Sequence, residues 1–442
     1  GTNAAYKAAL RYLGLHVLSG VLLLFGAMQI YFDTGDMSIR ALELGNPGVL
    51  LVFLAFGIKA GFPFLHTWLA DAYPKATVVG TVILSAFTTK LAIYALARTF
   101  AGETSLVWIG AIMTVYPVFF AVVENDLRKV LSFSLNNQLG FMVCAIGIGT
   151  PLALNGAAAH AFCHIMYKSL LFMSMGAVLY RTGTAKATEL GGLFRTMPWT
   201  TVFCLIGAAS ISAFPLFSGF VSKSLTMSAV AGAGFLIPWL MLLFASAGVL
   251  EHSGIKIPYF AFFSHDSGKR PKEAPFNMLV AMGLAAFICV AVGLPAFFPG
   301  FGFNWLYSIL PFASDPYTMR YEPYTGDHIL TQMQLLMLAV FAFALLQRLG
   351  AYPPEKRGII LDTDILYRKV GYGFAVWAGK VWSKVGPALA GVVGGMGSRT
   401  FSRLEAAFSP RGTLASGGLY NSMAVWTVVL LGLALLVAFF IR

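Results

Sequence analysis

His160, His164 and Lys168 are spaced i, i+4, i+8 within an apolar run. On an α-helix this puts two imidazoles and an amine on one face, each about 6 Å of rise from the next. Such a stripe suits a hydrated proton relay, because imidazole titrates near neutral pH and desolvation disfavours the charged form of an amine. Two hydrogen-bonded core histidines beside a structural lysine would use the same spacing. Haem ligation fits poorly, since no second helix offers a matching histidine pair. Lys59, Lys90, Lys223 and Lys256 also stand inside apolar stretches. An ionised lysine at bilayer centre costs about 2.5–3.5 kcal/mol, so five buried deep would rival the net stability of a typical domain. Lysines near span ends escape this by snorkelling, which is the expectation for Lys256. Lys59 and Lys90, far inside their spans, and Lys168, flanked by apolar sequence, are expected in a functional polar interior.

The elements that hold these residues must be membrane helices. Of 442 residues 58% are hydrophobic and 11% charged, less than half the roughly 25% of a soluble domain. The formal charge is +12, but apolar blocks of 20 or more residues leave no polar face for nucleic acid. Cys144, Cys163, Cys204 and Cys289 all lie in apolar stretches without CxxC spacing, which argues against a disulfide framework and a zinc site; no metal is expected. Taking about 20 residues per crossing, eleven crossings are expected, near 9–32, 47–70, 76–97, 105–123, 130–149, 152–180, 197–230, 236–263, 275–297, 329–348 and 422–441. The 197–230 stretch is too long for one straight helix and is expected to break at Phe214-Pro215. Numbering the sides from the start of the chain, the loops of the first side collect 21 Lys and Arg against 4 on the other, which makes the first side cytoplasmic. The 350–421 segment, with Trp377, Lys380, Trp382 and Lys384 at helical spacing, reads as an interfacial amphipathic helix or a docking surface on that side.

Two spans share a break. Ala60-Gly61-Phe62-Pro63-Phe64-Leu65 and Ser212-Ala213-Phe214-Pro215-Leu216-Phe217 each place small residues before Phe-Pro. Proline removes a helical hydrogen bond, and freed backbone groups at membrane depth are tolerated only against protein or water. Lys59 lies one turn before Pro63 and Lys223 two turns after Pro215. Paired broken helices carrying ion-handling residues point to an inverted-repeat transporter. Glu251 is the one acid well inside a span, so Glu251, His252 and Lys256 are expected to neutralise one another locally. The other lysines need a carboxylate from elsewhere.

The segments GIKAGFPFLHTWLADAYPKA (57–76, with His66 and Asp71), ENDLRKVLSFSLNNQLG (124–140), NGAAAHAFCHIMYKSLLF (155–172), ELGGLF (189–194) and FPLFSGFVSKSL (214–225) together resemble the antiporter-like membrane subunits. These are shared by respiratory complex I, membrane-bound hydrogenases and Mrp-type multisubunit Na+/H+ antiporters. HSGIKIPYFAFF (252–263) and LDTDILYRKVG (361–371) look closer to the D-type member of the Mrp set. The resemblance covers about residues 5–297. It implies an all-α polytopic fold with an inverted-repeat core of two discontinuous helices, here beginning just before the sixth of fourteen. It implies that Lys59, Lys90, Lys168 and Lys223 correspond to the lysines that hold protons along a hydrated axis. The family's glutamate partner to the first broken-helix lysine is not in this sequence, which fits a chain whose start lies upstream. No cofactor is implied. Other membrane subunits, H+ and Na+ or K+ are the implied partners, and the cell membrane the location. The expected organisation is a translocating core (1–297), an external loop with an extra helix (298–349), the basic segment (350–421) and a last crossing (422–442). The resemblance implies a proton-translocating subunit of a multisubunit monovalent cation/proton antiporter; a proton-pumping subunit of a complex I-like oxidoreductase or membrane-bound hydrogenase, a stand-alone transporter of a small solute and a structural subunit with fixed ion pairs are the rival readings.

Overall fold

The computed structural model describes residues 2–36, 38–295, 302–350, 362–363 and 365–393, with Gly432. Among these the chain is helical, and an isolated bridge between Asp126 and Lys186 is its one β-type pairing. The helices are α1 (Asn3–Thr34), α2 (Pro47–Ala60), α3 (Thr67–Ala72), α4 (Val78–Thr99), α5 (Thr104–Val123), α6 (Leu127–Ile148), α7 (Pro151–Thr182), α8 (Pro198–Ile211) and α9 (Ser218–Gly232). Then follow α10 (Leu236–Phe263), α11 (Phe276–Ala291), α12 (Gly326–Arg348) and α13 (Tyr372–Val393). With α2/α3 and α8/α9 each counted as one interrupted crossing, helices stand at ten of the eleven expected positions; 422–441 lies outside the described residues. Chain proximity divides the molecule into two units, residues 1–19 with 26–360 and residues 20–25 with 361–442.

In the first unit the helices are inside out relative to a soluble protein. On α4 the polar Thr81, Ser85, Thr89 and Lys90 are buried, while Ile83, Phe87, Leu91 and Tyr94 are exposed. Only an apolar solvent rewards that arrangement, so the chain is a multi-pass membrane protein. Almost every residue of α6 is buried, because its neighbours surround it. Asp126 caps its N-terminus by accepting from the Arg128 and Lys129 N–H groups. Against α5 it packs backbone to backbone through glycines: a Cβ on Gly110 would lie 2.3 Å from the Cys144 nitrogen, and one on Gly140 2.6 Å from the Gly110 carbonyl oxygen. Lipid offers no hydrophobic drive between helices, so small residues that permit close approach hold such pairs together.

Both expected breaks are present and share one geometry. The Leu65 N–H donates to the Phe62 carbonyl (2.9 Å) and the Phe217 N–H to the Phe214 carbonyl (3.2 Å), closing a turn with proline at its second position. The third position has φ 68° at Phe64 and 75° at Leu216, a conformation strained for a bulky residue. The second break is further tied down by the 302–350 segment. The Tyr324 hydroxyl donates to the Gly293 carbonyl and accepts from the Leu216 N–H (3.1 Å), and Gln332 on α12 donates to the Ser212 carbonyl (3.1 Å).

In the second unit, α13 exposes Phe374, Trp377 and Trp382, with the Phe374 and Trp377 rings 5.5 Å apart. The rest of the 350–421 segment and the Lys384 side chain lie outside the described residues.

Adding one methyl group separates the glycine contacts. Gly110→Ala must push α5 off α6, at a cost of about 1–3 kcal/mol, and should lower the thermal midpoint of the purified protein. Gly283→Ala, whose new Cβ meets the Phe203 ring at 3.5 Å, should leave it unchanged.

Candidate functional site

Around α6 gather the residues that can hold a proton. Its polar run Ser132-Phe133-Ser134-Leu135-Asn136-Asn137-Gln138 lies wholly in the interior, and all its polar members but Ser132, which bonds back to the Arg128 carbonyl of its own helix, reach side chains or carbonyls of other helices or of one another. The Lys168 amine on α7 donates to the Ser134 hydroxyl (2.8 Å) and the Leu131 carbonyl (3.4 Å). Gln138 accepts from the Tyr167 hydroxyl (3.2 Å) and donates to Asn137 (2.6 Å), whose amide in turn donates to the Thr114 carbonyl. Asn136 donates to the Tyr116 hydroxyl and abuts the first break, where a Cβ on Gly61 would lie 2.5 Å from its Oδ1.

His160, His164 and Lys168 do lie along one face of α7, all fully buried. The His160 and His164 rings are 6.2 Å apart. His160 bonds through Nδ1 to the Ser222 hydroxyl on α9 (3.1 Å), and its Nε2 faces the Tyr167 hydroxyl (3.4 Å). Neither ring nitrogen of His164 has a hydrogen-bond partner among the described residues. A buried imidazole with both nitrogens open to bonding suits contact with water or a passing proton rather than a fixed structural role.

Lys223, one residue from Ser222, reaches back across the second break. Its amine donates to the Ile211 carbonyl at the end of α8 (2.8 Å) and sits 5.4 Å from the Phe141 ring centre, whose other neighbour is His160 at 5.9 Å. A cation there meets the negative end of the α8 dipole. Lys90 donates to the Ser85 carbonyl of its own helix (2.5 Å). The charges of Lys90, Lys168 and Lys223 all act on His164. None of the three lysines pairs with a carboxylate among the described residues.

Two expectations are corrected. Lys59 is only partly buried, and its charge acts on His16 of α1. The reason is that α2 ends at Ala60, so a residue counted deep into a long span is in the last turn of a half helix. Its carbonyl end is capped at Ile58 by the Trp68 indole N–H (2.9 Å). Lys256 does not snorkel. It is fully buried and donates to the carbonyls of Ala121 (3.3 Å), Val122 (2.6 Å) and Glu124 (2.8 Å), where α5 ends with carbonyls that lack helical partners. His66 is buried with its ring 4.7 Å from Tyr116, and Asp71 pairs with Arg11 (2.6 Å) and Lys75 (2.5 Å). These contacts tie the first broken helix to its neighbours. Glu251 and His252 lie on a π-helical stretch of α10, Leu250–Ile255. Sequence reading missed Ser134, Asn136, Gln138, Tyr167, Ser222 and Ser253. The available signal was a run of hydroxyl and amide side chains in an otherwise apolar span.

Lys256→Met should leave those three carbonyls, two in the last turn of α5 and one at its cap, without their donor. Unmet buried acceptors cost about 1–3 kcal/mol each. The measurable result is a lower thermal midpoint, with transport per assembled protein largely retained.

Residues 1–262 match the family described as NADH:quinone oxidoreductase/Mrp antiporter, transmembrane. Hydrogenase-4 component B of Escherichia coli (strain K12) is 30% identical over 336 residues, which is 66% of this chain and 50% of the relative. The D-type subunit of the Na(+)/H(+) antiporter of Alkalihalophilus pseudofirmus is 31% identical over 284 residues, covering 60% of this chain and 57% of the relative. The chain thus spans about half the length of these curated relatives. Among solved structures, a chain of the Mrp complex from Dietzia sp. DQ12-45-1b superposes with a TM-score of 0.62 at 22% identity, over 80% of this chain and 71% of that one, a likeness of fold. A chain of the membrane-bound sulfane sulfur reductase, an archaeal respiratory membrane complex, gives a TM-score of 0.60 at 25% identity, over 66% and 63%. With the family match running over more than half its length, the chain belongs to the NADH:quinone oxidoreductase/Mrp antiporter transmembrane family.

Proposed function

We propose that this chain is a proton-translocating subunit of a multisubunit monovalent cation/proton antiporter of the Mrp type. The observation that carries the reading is the buried cluster of Lys90, Lys168, Lys223, His160 and His164, which holds titratable groups in electrostatic reach of one another without a carboxylate paired to any of its lysines among the described residues. A purely structural cation would be expected against an acid or a full set of acceptors, as Lys256 is held by three carbonyls. In this reading Lys59, at the end of the first half helix, is where the relay meets the groups that drive it. Lys90 and Lys168 hold the proton in the interior. His164 and His160 hand it along α7, and Ser222 brings His160 beside Lys223 at the second break. Pro63 and Pro215 create the backbone openings at the two ends. The chain itself makes and breaks no covalent bonds of a substrate and needs no cofactor.

The same reading assigns residues 1–297 to translocation, 298–349 to an external loop and extra helix, 350–421 to the cytoplasmic face and 422–442 to a last crossing. The excess of Lys and Arg on alternate loops supports that sidedness. Its partners are other membrane subunits, with Na+ or K+ exchanged for H+ across a cell membrane. A second reading, a proton-pumping subunit of a complex I-like oxidoreductase or membrane-bound hydrogenase, is favoured by the likeness to hydrogenase-4 component B and to NADH-ubiquinone oxidoreductase chain 5 of Phytophthora infestans, 28% identical over 326 residues.

Arginine separates a relay from a fixed cation, because a guanidinium stays protonated in proteins. In the full-length protein within its complex, Lys168→Ala and Lys168→Arg should each cut proton flux by about a hundredfold or more while assembly stays normal. Recovery of flux in Lys168→Arg would make Lys168 a structural cation.

A further inference from the structure

The relay described above runs along α7 toward α9, yet Lys168 has its strongest contact in another direction. From the Lys168 amine a line of hydrogen bonds leads to the Ser134 hydroxyl (2.8 Å), from there to the Ser253 hydroxyl (2.7 Å), and on to His252 Nδ1 (2.9 Å). All four residues are buried, and the line crosses from α7 through α6 to α10 without a gap. His252 Nε2, at its far end, has no hydrogen-bond partner among the described residues.

The backbone that presents His252 and Ser253 is wound as a π-helix, a local form that costs regular hydrogen bonding and recurs at functional sites. The next residue must be small: a Cβ on Gly254 would lie 2.3 Å from the Ser212 hydroxyl at the second break. The π turn therefore lies against the same break that Lys223 caps, and the charges of Lys168, Lys223 and Lys256 all act on His252.

We propose that Ser134, Ser253 and His252 form a branch of the relay, which carries a proton from Lys168 to the π-helical turn of α10. Lys168 gives one N–H proton to Ser134 Oγ, Ser134 gives its hydroxyl proton to Ser253 Oγ, and Ser253 gives its own to His252 Nδ1. Three bonds to hydrogen break and three form. Lys168 is left neutral, His252 becomes an imidazolium, and no other reactant is needed. The transfer requires the Ser134 hydroxyl to point at Ser253, the Ser253 hydroxyl, which donates to Ser134 in the resting arrangement, to rotate toward His252, and His252 to carry its ring proton on Nε2 so that Nδ1 can accept; hydroxyl rotors turn freely and neutral imidazole takes either tautomer. The branch joins the relay in series at Lys168, so that protons passing between Lys168 and the break must cross it.

The proposal rests on the reading of Lys168 as a relay group, and its test keeps the two apart. Proton flux would be followed with a pH-sensitive dye inside proteoliposomes that hold the assembled complex, driven by an imposed pH gradient. Ser253→Ala should cut flux at least about tenfold with assembly unchanged, Ser253→Thr should keep more than about half by restoring a hydroxyl, and His252→Gln should match Ser253→Ala. The double variant Ser134→Ala/Ser253→Ala should transport no less than Ser134→Ala alone, since both serines act in one series. Flux within about twofold of the parent in both Ser253→Ala and His252→Gln, with Lys168→Ala inactive, would overturn the branch and leave the relay standing. Normal flux in Lys168→Ala would remove both.

Discussion

Lys90, Lys168 and Lys223 are amines withdrawn from water with no carboxylate against them among the described residues, and much of the surrounding structure follows from that placement. An ammonium can donate three hydrogen bonds. Lys90 and Lys223 each donate to a single carbonyl, and Lys168 to one hydroxyl and one more distant carbonyl. Among the described residues, neither an ion pair nor a complete set of bonds locks a proton on any of them. Lys256 shows the contrast: with three carbonyls at the end of α5 it has the full set, and it reads as an anchor.

The lysines can be held this way because α6 supplies polar atoms at the depth where lipid cannot. Its Ser134, Asn136 and Gln138 point to three different neighbours, and glycines let α5 close against it. The two Phe-Pro turns then open the backbone at either side of this polar core. In the second, the α8 carbonyl freed by the break is the acceptor for Lys223; in the first, an indole fills that role and leaves Lys59 to other contacts. The two halves thus use one turn geometry with the charge placed on opposite sides of the proline.

Much of this was legible in the sequence. Apolar length gave the crossings, and Phe-Pro within a hydrophobic run gave both breaks, because each signal is local. The i, i+4, i+8 stripe gave the face of α7 for the same reason. What stayed hidden depends on the ends of helices and on partners far along the chain. Lys59 was counted deep because the count ran past Ala60, where α2 stops. Lys256 looked like a snorkelling residue because the carbonyls that hold it lie some 130 residues earlier in the chain. Ser134 and Ser253 lie 119 positions apart, and their meeting in space cannot be read from either segment alone.

The central claim is that the buried histidines and lysines exchange protons as the protein works. Infrared difference spectroscopy on the full-length protein in its complex, with ring-labelled histidine, tests it most directly when an imposed pH gradient is reversed. The account predicts imidazole-to-imidazolium bands that appear with the gradient and are lost in a His160→Gln/His164→Gln variant. A working complex whose labelled histidine bands do not change would contradict it.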